Sequence, residues 1–78
     1  MTSDRFEEHA VGTCLVLVRA ARVDLPGVSG WIGAWEIYRL PWHSKKTALR
    51  ISETDVQGSE AIALGMARTI AVSVARAL

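Results

Sequence analysis

The feature that most constrains the fold of this chain is an unbroken apolar run, CLVLV, at residues 14–18. The surrounding segment, from Gly12 to Val23, is rich in β-branched and aliphatic residues, which would point to all sides of a helix. We therefore expect a strand. Because such a strand is apolar on both sides, both faces of its sheet need a cover.

A competing interpretation of the same segment is a helix that begins near Ser3. Its apolar face would be Phe6, Ala10, Cys14, Leu17 and Ala21. Gly12 and the valines disfavour this helix, since glycine and β-branched residues both lower helix propensity.

Two more strands are expected after the first. The Pro26-Gly27 pair suits the centre of a type II turn, so residues 24–30 are interpreted as a hairpin loop. Residues 31–40 alternate as a strand, and one face of it is Trp31, Gly33, Trp35 and Ile37. We expect Trp31 and Trp35 to be core residues beneath a helix.

The third predicted strand spans residues 48–52. Leu49 and Ile51 would face one way and Arg50 the other, which is the pattern of a half-buried strand. Pro41 ends the strand before it, since proline cannot donate to a ladder.

The last twenty residues predict a helix. Ser59 is a good N-cap, and Glu60 suits the positive end of the helix. Apolar residues recur at every fourth position, so the expected buried stripe is Ile62, Met66, Ile70, Val74 and Leu78.

These elements predict an α+β fold with two layers, in which a three-stranded antiparallel meander is followed by one C-terminal helix (β-β-β-α). Residues 1–78 are expected to form a single domain, with residues 1–11 either flexible or a short helix. One helix covers just one face of such a sheet.

The second apolar face predicts a homodimer. We expect Cys14, Val16 and Val18 to form its interface, with Leu17 there instead if the two faces are reversed. The first strand is also expected at the edge of the meander, where few charges prevent pairing with a second copy.

Composition limits the remaining classes of function. Half of the residues are hydrophobic and the net charge is +1, which excludes a disordered chain and an overall basic field. One cysteine excludes an internal disulfide and is typical of a cytoplasmic protein. The acidic start does not resemble a signal peptide, and the apolar run is too short for a bilayer, so no membrane partner is expected.

Catalytic, metal and cofactor sites are not expected. Cys14 lies in an apolar strand without a histidine near it in sequence to activate the thiol. Two histidines and one cysteine do not have the spacing of a metal site. Glu53 and Asp55, just before the helix, are explained by capping and solubility.

A local basic patch supports an alternative function in nucleic-acid binding. The candidate residues are Arg39, Trp42, His43, Lys45, Lys46 and Arg50. Trp42 would act as a stacking ring and the cations would contact phosphates. Within this loop, HSKKTAL resembles the start of the last helix in double-stranded-RNA-binding domains.

The order of elements resembles that of a group of small bacterial proteins with a tryptophan in the middle strand and one final helix, opened here by Ser59, Glu60 and Ala61. It is also similar to HicB-type antitoxins, which have a partial RNase-H-like fold. The hallmark Gly-Gly-Tyr strand of those antitoxins is missing, so no functional residue is carried over. The interpretation favoured by the sequence is a non-catalytic, homodimeric interaction or regulatory module, to which a protein partner could also bind.

Overall fold

The computed structural model describes residues 6–41 and 47–78, which form a four-stranded sheet and one helix. The elements are β1 (Glu7–Val11), β2 (Cys14–Leu25), β3 (Val28–Arg39), β4 (Arg50–Glu53) and α1 (Glu60–Ala77). All neighbouring strands are antiparallel and follow the order β1-β2-β3-β4. The predicted α+β class is confirmed, but the sheet has four strands where three were expected.

The additional strand comes from residues that were expected to be flexible or helical. Residues 7–11 pair with β2 from Glu7 opposite Val18 to Val11 opposite Cys14. Gly12 lies in the short turn between the two strands, and its φ of 58° is one that glycine adopts without strain. The competing helix is therefore wrong. Because β1 covers its outer side, β2 is a central strand, and the expected edge pairing with a second copy is lost.

The β2–β3 hairpin is the longest part of the sheet. Its strands pair without interruption from Cys14 opposite Arg39 to Leu25 opposite Val28. The turn consists of Pro26 and Gly27 alone, and the φ of Gly27 is 78°, as the third position of a type II turn requires. The hairpin is confirmed, with a tighter loop than predicted.

The face of the sheet beneath α1 contains the core. Cys14, Val16, Val18 and Ile37 are at most 1% exposed there, and Trp35 is 6% exposed. The prediction that Cys14, Val16 and Val18 form a dimer interface is corrected, because α1 already covers them. The core prediction is confirmed for Trp35, but Trp31 is only half-buried, with the Arg22 guanidinium 5.9 Å from its ring.

The face of α1 that packs on the sheet differs from the predicted one. Its buried residues are Ala63, Ala67, Ala71 and Ala75. Ile62, Met66 and Ile70 of the predicted stripe are 54%, 39% and 41% exposed. The N-cap is confirmed, since the Ser59 hydroxyl accepts a hydrogen bond from the Ile62 amide at 3.1 Å.

The physical reason for the alanine face is a close approach of two backbones. A Cβ added at Gly33 would overlap the carbonyl oxygen of Ala63 and would lie 2.6 Å from the Cβ of Ala67. Helix and strand therefore touch where neither has a large side chain. Isoleucine or methionine at these helix positions would hold the two backbones apart.

The fourth strand is not half-buried as predicted. All four residues of β4 are exposed, and Ile51 is 71% exposed. The segment after it returns to β3, where the Gly33 amide donates to the Thr54 hydroxyl at 2.9 Å. The Thr54 amide donates to the Gly33 carbonyl at 2.8 Å, so this segment leads the chain from the sheet into α1.

Candidate interaction surface

The side of the sheet that faces away from α1 is the candidate interaction surface, called here the open face. Its residues alternate with the core residues along the two long strands. From β2 it contains Leu15, Leu17, Arg19, Ala21 and Val23, and from β3 it contains Ile32, Ala34, Glu36 and Tyr38. Most of these side chains are aliphatic, which is unusual for a solvated sheet face.

The strand register arranges the open face in rows across the sheet. One row contains Glu8, Leu17, Glu36 and Ile51, and the next contains Arg19, Ala34 and Glu53. Beyond these two rows, toward the hairpin turn, Ala21 pairs with Ile32. In the other direction, Leu15 pairs with both Ala10 and Tyr38. The charged rows therefore lie between two rows without formal charges.

Local contacts hold the charged side chains of this face in place. The Arg19 guanidinium lies 5.6 Å from the centroid of the Phe6 ring, within cation–π range. The Tyr38 hydroxyl donates to Glu36 Oε1 at 2.5 Å, and this hydrogen bond to a carboxylate raises the pKa of Tyr38. Leu17, in the middle of its row, is only 8% exposed, so its neighbours shield much of it.

The predicted basic patch lies mostly outside the described residues, namely at Trp42, His43, Lys45 and Lys46. Its two flanking arginines are described. Arg39 Nη1 donates to the Thr13 hydroxyl at 2.6 Å, and Arg50 Nη1 donates to the Leu49 carbonyl at 2.8 Å. The nucleic-acid hypothesis stays a prediction.

A polar cluster joins β1 to the helix. Arg68 donates from Nε and Nη2 to the two carboxylate oxygens of Glu7, with the second distance 2.9 Å. His9 Nε2 lies 2.5 Å from Glu7 Oε1. Mainly because of the hydrogen bonds from Arg68, the pKa of Glu7 is lowered to about 2. Sequence analysis missed this cluster, since nothing in the sequence connects two residues that are 61 positions apart.

The cluster links two elements of the fold, since Glu7 lies on β1 and Arg68 lies on α1. In residues 6–41 and 47–78, no group of three histidine, cysteine or carboxylate side chains could hold a metal ion. Cys14 is a free thiol that is 1% exposed beneath α1.

A second apolar surface lies on the outer side of α1. Ile62, Met66 and Ile70 surround Gly65 there, and a Cβ added at Gly65 would have no atom within 4 Å. No contact within the described chain therefore requires a glycine at position 65, whereas the close approach of α1 requires one at position 33.

No helix in the described part of the chain has the length and apolar character that a bilayer crossing requires. Comparisons with protein-family models, with curated proteins and with solved structures find no match to this chain. The similarity in layout to HicB-type antitoxins stays a prediction.

Proposed function

We propose that this chain is a small non-catalytic interaction or regulatory module that acts as a homodimer, and that two copies meet through the open face of the sheet. One observation carries the proposal. Within residues 6–41 and 47–78, a single helix covers one face of the sheet, while the opposite face presents mostly aliphatic residues on its two central strands. Such a surface on a small protein is typical of an interface.

The size of the open face suits a small dimer. With about 3.3 Å per residue and about 4.8 Å between strands, the sheet covers on the order of 500 Å² in projection. Its accessible surface is larger, because side chains project from it. Specific interfaces begin near about 600 Å² per partner, so nearly the whole face would take part.

The need for stability also supports a dimer. A chain of 78 residues buries a smaller fraction of its surface than a larger domain does. The helix packs through alanines, which contribute less apolar area than leucine or isoleucine would. Burial of the open face would add the apolar contacts that a single copy lacks.

The test is a matched pair of alanine-to-lysine variants. Ala34 lies in the middle of the open face and Ala61 lies on the exposed outer side of α1. Sedimentation at low micromolar concentration should give twice the 8.5 kDa chain mass for the unmodified protein and for Ala61→Lys. Ala34→Lys should remain folded, because lysine can extend into solvent from an open face. It should sediment as a monomer, because the bulk of a lysine in the middle of the interface would hold the two sheets apart.

Two results would contradict the proposal. The first is an unmodified protein that stays monomeric and folded at this concentration. The second is the reverse pattern, in which Ala61→Lys separates the copies and Ala34→Lys does not, because it would place the interface on the outer side of α1. Circular dichroism of each variant shows whether the fold is retained.

A further inference from the structure

We propose a specific arrangement of the two copies, in which Arg19 of each copy pairs with Glu36 of the other. The sheets pack face to face about a two-fold axis that lies parallel to the sheets and perpendicular to the strands. This inference rests on the proposed function, since it requires that the open face binds a second copy.

The charges on the central strands carry the argument. On the open face, β2 contributes one charged residue, Arg19, and β3 contributes one, Glu36. Both are half-buried before any partner binds. An interface that buried either of them without an opposite charge would be unfavourable. A second copy brings one cation and one anion to the centre of the interface, and is therefore a partner of matching charge.

Symmetry decides between two ways of stacking the sheets. Arg19 pairs with Ala34 across the strands, whereas Glu36 pairs with Leu17, so the two charges lie in adjacent rows. A two-fold axis parallel to the strands would bring each row onto the same row of the other copy, with Arg19 beside Arg19. An axis perpendicular to the strands, placed between these rows, brings the Arg19 row opposite the Glu36 row.

The same axis matches the apolar parts of the face. The row that contains Leu15 and Tyr38 would lie over the row that contains Ala21 and Ile32 of the second copy. The two large side chains of the first row, Leu15 and Tyr38, would then meet a row with one small side chain, Ala21, and one large side chain, Ile32. This difference in size lets the two layers interdigitate. Packed sheets are rotated by about 30° relative to each other, so the match is between rows and not between single atoms.

The remaining carboxylates of the open face lie at its rim. Glu8 is on β1 and Glu53 is on β4, the two outer strands, and both are exposed. Solvent and salt screen charges in such positions. The repulsion between these rim carboxylates therefore opposes association less than the attraction between Arg19 and Glu36 favours it.

The two central side chains are partly ordered in advance. The ring of Phe6 lies under the Arg19 guanidinium, and the Tyr38 hydroxyl holds the Glu36 carboxylate. Less side-chain entropy is lost on binding when the groups are already positioned.

The experiment uses two charge reversals, Arg19→Glu and Glu36→Arg, in the full chain. Each variant alone should self-associate at least about a hundredfold more weakly, because each interface would contain two like-charged pairs. Mixed in equal amounts, the two variants should form a heterodimer, because both central pairs would again join opposite charges. Glu53→Arg, a reversal at the rim, is the matched control and should leave self-association within about threefold of the unmodified protein.

Analytical ultracentrifugation of each variant and of the mixture separates the outcomes. If the unmodified protein dimerises but both reversals dimerise equally well, or if the mixture stays monomeric, the pairing is overturned while the proposed homodimer stands. If the unmodified protein is monomeric, the proposed function fails. Should one reversal not fold, the chain with both changes keeps the test decisive, since it restores opposite pairs and must dimerise.

Discussion

The two faces of this sheet have similar composition and very different environments. On the covered face Val16, Val18 and Ile37 are fully buried beneath α1. On the open face Ile51 is 71% exposed, although its strand is paired directly with the strand of Ile37. Hydrophobicity alone therefore does not decide which face the helix covers.

The difference lies in the shape of the covered face. Gly33 leaves a gap beside Trp35, and the alanine stripe of α1 fits against it. On the open face the neighbouring position is Ala34, and the larger side chains of Arg19 and Glu53 are paired with it across the strands. The helix packs where the two backbones can approach each other, because closer packing brings more atoms into contact.

The largest effect should come from equal changes on the two faces. Ile37→Ala removes a fully buried side chain and should lower the free energy of unfolding by about 2 to 5 kcal/mol, since a cavity remains under α1. Ile51→Ala removes one that is 71% exposed and should change it by less than about 0.5 kcal/mol. Urea unfolding followed by circular dichroism measures the free energy of unfolding of both variants. Equal losses in the two variants would disprove the contrast between the faces.

A smaller effect should follow from adding one methyl group to each of two glycines. Gly33→Ala should lower stability by about 1 to 3 kcal/mol, because the new Cβ would overlap the Ala63 backbone. Gly65→Ala, where a Cβ meets open space, should raise stability by about 0.5 to 1 kcal/mol through helix propensity. Thermal unfolding of the two variants should therefore shift in opposite directions. A tolerated Gly33→Ala would mean that α1 does not need the close approach.

The smallest effect concerns the ion pair that joins β1 to α1 at the rim of the covered face. The pKa of Glu7 falls from 4.5 to about 2 on folding, so its stabilisation is fully present above pH 4.5 and is lost as the pH falls toward 2. Glu7→Gln should lower the free energy of unfolding by about 1 kcal/mol or less at pH 7, since solvent screens a partly exposed ion pair.

The pH dependence distinguishes this pair from simple packing. The difference in stability between the unmodified protein and Glu7→Gln should shrink between pH 4.5 and pH 2. Glu8→Gln, a change of the same kind at the exposed neighbour, is the control. A difference for Glu7→Gln that stays constant over this range would show that the carboxylate charge does not matter.

Much of the secondary structure followed from local sequence. The strand character of CLVLV, the Pro26-Gly27 turn and the Ser59 cap all depend on residues close in the chain, and all three are confirmed. The strand at residues 7–11 was missed because EEHAV is short and polar and has no clear strand pattern. Its extended conformation is stabilised by pairing with β2.

The sequence predicted one apolar sheet face that α1 does not cover, with Leu17 on it if the two faces were reversed, and the structure shows this reversed arrangement. Alternation along β2 showed that both faces are apolar, and therefore that a surface needing a partner should exist. It could not show which face α1 covers, and the structure shows that α1 covers Cys14, Val16 and Val18, which were expected at the interface. The proposed pairing of Arg19 with Glu36 could not be predicted from the sequence, because the relation of the two residues depends on the register of β2 and β3.

The sequence by itself determined the α+β class, the long hairpin, the capped final helix and the presence of two apolar sheet faces, because each follows from the conformations of neighbouring residues. Only the tertiary structure decided which stripe of the helix is buried. Periodicity favours Ile62, Met66 and Ile70 because they are large, whereas the contact with Gly33 selects the alanines because they are small. Steric fit between segments that are distant in the chain is a property of their packing, and no local pattern contains it.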